Sequence, residues 1–221
     1  MLNFFKEVFK KGELRRKVVF TLGILFVFRL GAGIVIPYID TSAITSAATS
    51  SGIFGIMNML GGGTLEKFSL FSLGVSPYIT SSIIIELLSM DVVPALTQWN
   101  KEGNTGKKKK DKVTRVLTLA LAIIQGGSLT YAFDKGYSIL ASSSIWTYVY
   151  VVVVMAAGSM FTMWLGDQIT IKGVGNGTSL LIFTGIVANL PNSFISSFKS
   201  MVTFGSTYKT ATSLAWYILF V

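Results

Sequence analysis

Read for where apolar residues run together and where polar ones break them, the chain divides into long hydrophobic stretches joined by short polar links. The apolar runs cover 18–37, 68–90, 113–133, 145–166 and 178–195, and a further run opens at 211 and continues to 221. A bilayer core about 30 Å thick needs roughly 20 apolar residues of helix. The first five runs are long enough to cross. The last, at 11 residues, gives about 16 Å of helix and reads as the start of a sixth span, so the chain is expected to be a fragment whose continuation would begin there. These runs predict an all-α, polytopic membrane bundle.

Some segments depart from plain spans. Between Pro37 and Phe68, residues 41–51 are rich in Ser, Thr and Ala and predict an exposed loop. Residues 53–66 then open with a short amphipathic stretch, Ile53, Phe54, Ile56, Met57, Met59 and Leu60, ended by Gly61, Gly62 and Gly63. Three glycines supply a helix end and a hinge. Short, Gly-interrupted apolar segments mark discontinuous helices lining a pathway in transport proteins; an amphipathic helix lying on the membrane surface is the alternative. Pro77 falls inside the 68–90 run and predicts a kink there. Arg29 and Glu86 are charges within apolar runs, where a charge is costly unless paired or hydrated. Arg29 is placed to snorkel to the outer interface, and Glu86 to reach inner water.

Charge adds orientation. With 19 Lys and Arg against 10 Asp and Glu the net charge is +9, and its placement is lopsided. Segments 1–17, 91–115 and 167–177 hold fourteen Lys/Arg, whereas the alternate links keep only Lys67, Lys135, Lys199 and Lys209. This is a positive-inside bias that puts the N-terminus in the cytoplasm. The basic head before residue 18 also resembles a signal peptide, but the apolar run is long for one and more spans follow. The 91–112 link reads as a cytoplasmic loop carrying the block Lys107, Lys108, Lys109 and Lys110. That block is a topology determinant, and the same charges suit anionic lipid, an acidic partner or ribosomal RNA.

Composition then excludes chemistry. Hydrophobic residues make up 51% and charged residues 13%, against about 25% charged in soluble domains, and mean hydropathy is +0.63. The chain has neither Cys nor His, which removes disulfides, thiol catalysis, Ser-His engines and the usual zinc ligands. No enzyme activity, metal or cofactor is expected. The run Gly173-Val174-Gly175-Asn176-Gly177 lacks the preceding strand and following Lys-Ser/Thr of a phosphate cradle; it reads as a tight cytoplasmic turn with Asn176 near the N-cap of the next span. An intramembrane protease is excluded for want of His or paired aspartates. An ion-coupled solute transporter half, supported by the broken helix and Glu86, and an isolated bundle without transport activity stay open.

The stretches FRLGAGIVIPYID (28–40), MNMLGGGTLEKFSLFSLGVSPYITSSIIIELL (57–88), KEG with Gly106, and MWLGDQITIKGVGNGTSLLIFTGIVANLP (163–191) resemble the SecY family, the channel subunit of the bacterial protein-export translocon. The resemblance covers nearly the whole chain and matches the N-terminal half of a pseudo-symmetric ten-span channel in the cytoplasmic membrane. It implies a protein-conducting channel that passes unfolded secretory polypeptides across the membrane and releases signal sequences and hydrophobic segments sideways to lipid through a lateral gate. It implies that residues 53–66 form a plug, and that Val75, Ile79, Thr178 and Ile182 contribute to an apolar pore constriction. It also implies a C-terminal half, SecE and SecG subunits, and the SecA motor or a ribosome as partners; for an isolated fragment, self-association into a homodimer through the surface that would face the other half is a further option. Three departures stand out: Thr178 carries a hydroxyl where aliphatic residues are usual, Glu86 stands in place of a common Gln, and GKKKK replaces GRRK, losing bidentate recognition.

Overall fold

The computed structural model describes residues 12–39, 64, 68–90, 92–140 and 144–201. Within them the chain forms α1 (Gly12–Ala32), α2 (Ser76–Leu88), α3 (Pro94–Lys101), α4 (Asn104–Tyr137), α5 (Ile145–Lys172) and α6 (Gly177–Met201). Expectations for residues 53–66 and 211–221 fall almost entirely outside the described residues. Backbone pairing outside helices is confined, among the described residues, to isolated bridges at Val35–Ser69 and Ile39–Leu140.

Two helices, Asn104–Gly136 and Ile145–Lys172, are long and apolar enough to cross a membrane. At 34 residues, α4 extends about 51 Å, well beyond a hydrocarbon core. The excess is its basic start: Lys107 to Lys110 lie in the first turns of α4 rather than in a loop as expected. Lysine is a good helix former, and the break falls instead at Gly103, whose φ of +64° is cheap only for glycine. The expected loop also contains α3.

The second apolar run differs most from expectation. Helix α2 covers only Ser76–Leu88, and residues 68–75 run as successive tight turns closed by Ser72 N–H to Ser69 O (2.9 Å), Gly74 N–H to Phe71 O (2.8 Å) and Ser76 N–H to Leu73 O (3.2 Å). Pro77 therefore sits in the first turn of α2, where its missing N–H goes unnoticed, and no kink arises there. Non-helical backbone of this kind is tolerated at membrane depth only under protein cover. Phe68, Ser69, Phe71, Leu73 and Val75 are all buried. Gly158 of α5 lets the Leu70 carbonyl come so close that a Cβ there would overlap it, and Ser159 Oγ donates to Gly74 O at 3.2 Å.

Two apolar clusters hold the bundle. One gathers Ile36, Phe68, Phe133, Ile139, Val151 and Met155, with Phe68 edge-on to Phe133 at 5.3 Å. The other gathers Ile24, Phe28, Phe71, Val75, Leu165, Ile169 and Leu181, with Phe28 stacked on Phe71 at 5.5 Å. Three buried threonines satisfy their hydroxyls within their own helices: Thr118 Oγ1 donates to Thr114 O, Thr130 Oγ1 to Gly126 O and Thr162 Oγ1 to Gly158 O. The outer faces remain apolar, with Phe26 65%, Ile124 65%, Val153 58% and Phe183 62% exposed. In a soluble monomer so much exposed apolar surface would be a liability; toward lipid it is the favoured exterior.

Candidate functional site: a charged cavity above an apolar cluster

At the end of the bundle that carries α3, a cavity of about 610 Å³ opens between α2, α3, α4, α5 and the start of α6. Its walls mix charge with hydroxyls and aromatic rings. Glu86, Ser82 and Tyr78 come from α2, Trp99 and Asn100 from α3, Lys107, Lys110, Asp111 and Arg115 from α4, Asp167 and Thr170 from α5, and Thr178 from α6. The acidic and basic groups balance, which leaves a hydrated surface without a strong net field.

Each wall is held locally. Arg115 Nη2 donates to Asp167 Oδ2 at 2.8 Å, tying α4 to α5. The pair is half-exposed, so it contributes on the order of 1 kcal/mol or less. Asn176 Oδ1 accepts from Ser179 N–H at 3.2 Å and caps α6, satisfying a donor the helix cannot reach itself. Thr21 Oγ1 of α1 accepts from Val174 N–H at 3.1 Å, pinning the turn between α5 and α6. Gly177 N–H reaches Thr170 Oγ1 at 2.9 Å.

Below the cavity lies the second apolar cluster. Ile79 of α2 and Ile182 of α6 are partly buried against it, as is Tyr78, which also lines the cavity. Thr178 stands on the cavity wall, one turn before Ile182. Val75, the residue preceding α2, is 7% exposed and packs inside the cluster. Val75, Ile79 and Ile182 thus belong to or border one apolar cluster, reached from α2 on one side and α6 on the other, and Thr178 stands on the cavity wall.

Glu86 is exposed and faces the cavity, whereas Arg29 is exposed on α1, far along the sequence from any cavity residue. The lysine block splits by helical position. Lys107 and Lys110 face the cavity. Lys109 pairs with Glu102 at 2.8 Å and lies over the Trp99 ring at 6.0 Å. Lys108 borders a shallow outer groove with Lys112 and Val116. Among the described residues no three His, Cys, Asp or Glu side chains group as a metal would require. Sequence reasoning missed Ser82, Asn100, Asp111 and Asp167 as cavity residues. The i, i+3/i+4 spacing of 107, 110, 111 and 114 on one face of α4 could have pointed to Asp111; Ser82, Asn100 and Asp167 lie on other helices and no spacing links them to it.

Comparison with known proteins gives a consistent result. The SecY family model matches residues 69–221. The chain is 43% identical over 204 residues to "Protein translocase subunit SecY 1" of Lactobacillus kefiranofaciens subsp. kefiranofaciens, covering 91% of this chain and 47% of that protein. It is 41% identical over 212 residues to "Protein translocase subunit SecY" of Bacillus subtilis (strain 168), covering 95% and 47%. The chain therefore spans about half the length of these relatives. Among solved structures, the Sec61 chain of a canine ribosome-channel complex from the endoplasmic reticulum shares the fold, with a TM-score of 0.57 and 17% identity over 91% of this chain and 42% of that one.

Proposed function

The chain belongs to the SecY family, and on that premise we propose that it builds the N-terminal half of a protein-conducting channel in the bacterial cytoplasmic membrane, with its N-terminus and α3 on the cytoplasmic side. The observation that carries the reading is the stacking of a polar, charge-balanced cavity on an apolar floor to which α2 and α6 both contribute. A polypeptide in transit needs a hydrated approach that offers no strong binding site. It also needs a narrow apolar waist that dewets and blocks ions.

In this reading Ile79 and Ile182 present the waist, Val75 backs it from within the cluster, and Thr178 marks its upper rim. Residues 53–66 form the plug, and α2 belongs to the lateral gate. Thr178 loosens the waist on its side, because a hydroxyl holds water better than an aliphatic group. The remaining half of the waist and gate, the SecE and SecG subunits, and the ribosome or SecA motor that drives transport lie beyond this chain, and no catalysis or cofactor is assigned to it. Family membership speaks against the solute-transporter alternative, and the exposure of Glu86 on the cavity wall removes the buried-charge argument for it.

The test is ion conductance of the full-length protein in planar bilayers. Ile79→Asp or Ile182→Asp keeps water in the waist, so resting conductance rises and precursors with defective signal sequences pass more readily. Wild-type conductance and export in both variants would refute the waist assignment. Single cysteines at 53–60 are expected to crosslink to the waist at rest; labelling from lipid instead would favour the surface-helix alternative.

A further inference from the structure

Lys110 does something the other lysines of its block do not. Its ammonium donates to Asn100 Oδ1 at 2.9 Å and to Ser89 Oγ at 3.2 Å. Ser89, 3% exposed, is the residue that ends α2. Its carbonyl accepts from Asn100 Nδ2 at 3.0 Å and Thr97 Oγ1 at 3.4 Å, and its hydroxyl donates back to Glu86 O at 2.7 Å. Three helices thus meet at one residue: the end of α2, the face of α3 and the second turn of α4. The C-terminus of a helix carries unpaired carbonyls and partial negative charge, so a cation brought there by α4 is well placed to hold it.

Apart from this knot, α3 is held where Gly106 of α4 lets the Trp99 backbone come so close that a Cβ there would overlap it. α3 has eight residues and one buried side chain, Leu96. A helix that short is not stable alone, and a single buried leucine does not set its direction. Polar ties fix it against the end of α2 and along α4: Lys110 to Asn100, Asn100 to Ser89, and Lys109 to Glu102 at 2.8 Å. Trp99, Asn100 and Gly103 form one wall of the cavity, so the position of α3 sets how wide the cavity opens.

We propose that Lys110 is a positioning residue whose bridge between Asn100 and Ser89 latches α3 against the end of α2 and keeps the cavity narrow until an incoming polypeptide displaces the helix. The proposal rests on the channel reading above for the identity of what enters. It divides the basic block by role: Lys110 is structural, whichever partner the other lysines meet. The Lys110–Asn100 bond is exposed, so water can replace it at modest net expense, and the latch is releasable where an apolar contact would not be.

The experiment uses the full-length protein without other cysteines, reconstituted in vesicles, with the near-isosteric probe Ser82→Cys on the α2 wall. Its labelling by a membrane-impermeant maleimide added from the α3 side is followed over time. Lys110→Met keeps the stem and removes the donors; labelling is expected to quicken several-fold. Asn100→Leu is expected to do the same, the double variant to add nothing further, and Lys110→Arg to restore the slow rate. Effects that do not run through their shared hydrogen bond would instead make the two variants additive and leave Lys110→Arg unable to rescue. Unchanged labelling in both single variants, or additive effects without rescue, overturns the latch. Failure of the wild-type vesicles to import a precursor, when the partner subunits and an ATP-driven motor are supplied, would sink the channel reading and leave the labelling comparison intact.

Discussion

Gly158 offers a direct probe of how the chain places the turns that lead into α2. In the structure a Cβ on this residue would overlap the Leu70 carbonyl oxygen, come within 2.9 Å of the Leu70 carbonyl carbon and touch its Cγ at 3.4 Å. Backbone cannot swing aside as the tip of a side chain can, so Gly158→Ala must push residues 68–75 away from α5. Inserting a methyl into a filled site costs about 1–3 kcal/mol. Losing the adjacent Ser159–Gly74 hydrogen bond, 3.2 Å long, adds about 1 kcal/mol. A total near 3 kcal/mol corresponds to a fall in Tm of about 6–12 °C for a unit of roughly this size. The assay is thermal unfolding in detergent, with Gly127→Ala as the control. Gly127 has no atom within 4 Å of its would-be Cβ, so alanine there is expected to be neutral or to stabilise by about 0.5–1 kcal/mol. The Gly158 variant is further expected to raise resting conductance, because residues 68–75 lead directly into Val75 and α2. Equal Tm values for Gly158→Ala and wild type would refute the close approach of Leu70 to α5, and with it the described entry to α2.

Three further outcomes follow from individual contacts. Thr118 is fully buried and its hydroxyl donates only to the Thr114 carbonyl, a group that already belongs to its own helix; Thr118→Val should change stability by less than about 0.5 kcal/mol, measured by the same thermal assay. Asn176→Ala removes the cap that Ser179 N–H meets at 3.2 Å and should lower stability by about 1 kcal/mol, an effect that Asn176→Asp largely avoids. A double-mutant cycle on Arg115 and Asp167, 2.8 Å apart and partly exposed, should return a coupling of roughly 0.2–1 kcal/mol that shrinks as salt is raised.

Much of the architecture was legible in the pattern of apolar runs, because a helix that spends its length in lipid or core must be apolar over most of its turns. The runs at 113–133 and 145–166 lie within α4 and α5. Hydropathy reports burial, however, and not helicity. Residues 68–75 are as apolar as a span and are buried as one, yet they form turns, because Gly158 gives their backbone a groove to lie in. Nothing local to Gly158 distinguishes it from Gly127, where a Cβ would meet open space. The same limit applies to the cavity. Glu86, Lys107 and Thr178 stood out as charge or motif positions, but Asp167 and Asn100 join them only through folding. The link between Lys110 and Ser89 spans 21 residues that no periodicity connects. The lysine block was visible as charge; its division into inward, paired and outward members required the helix that carries it.

The central claim is that α2 and α6 present Ile79 and Ile182 to a polypeptide in transit. Photocrosslinking from these two positions in the full-length protein, against a precursor arrested midway through transport, tests it most directly. The account predicts adducts to the precursor from residues 79 and 182 and none from residue 26, whose side chain is 65% exposed on the outer face of α1. Adducts to lipid alone from 79 and 182, with the arrested chain captured elsewhere or not at all, would contradict it.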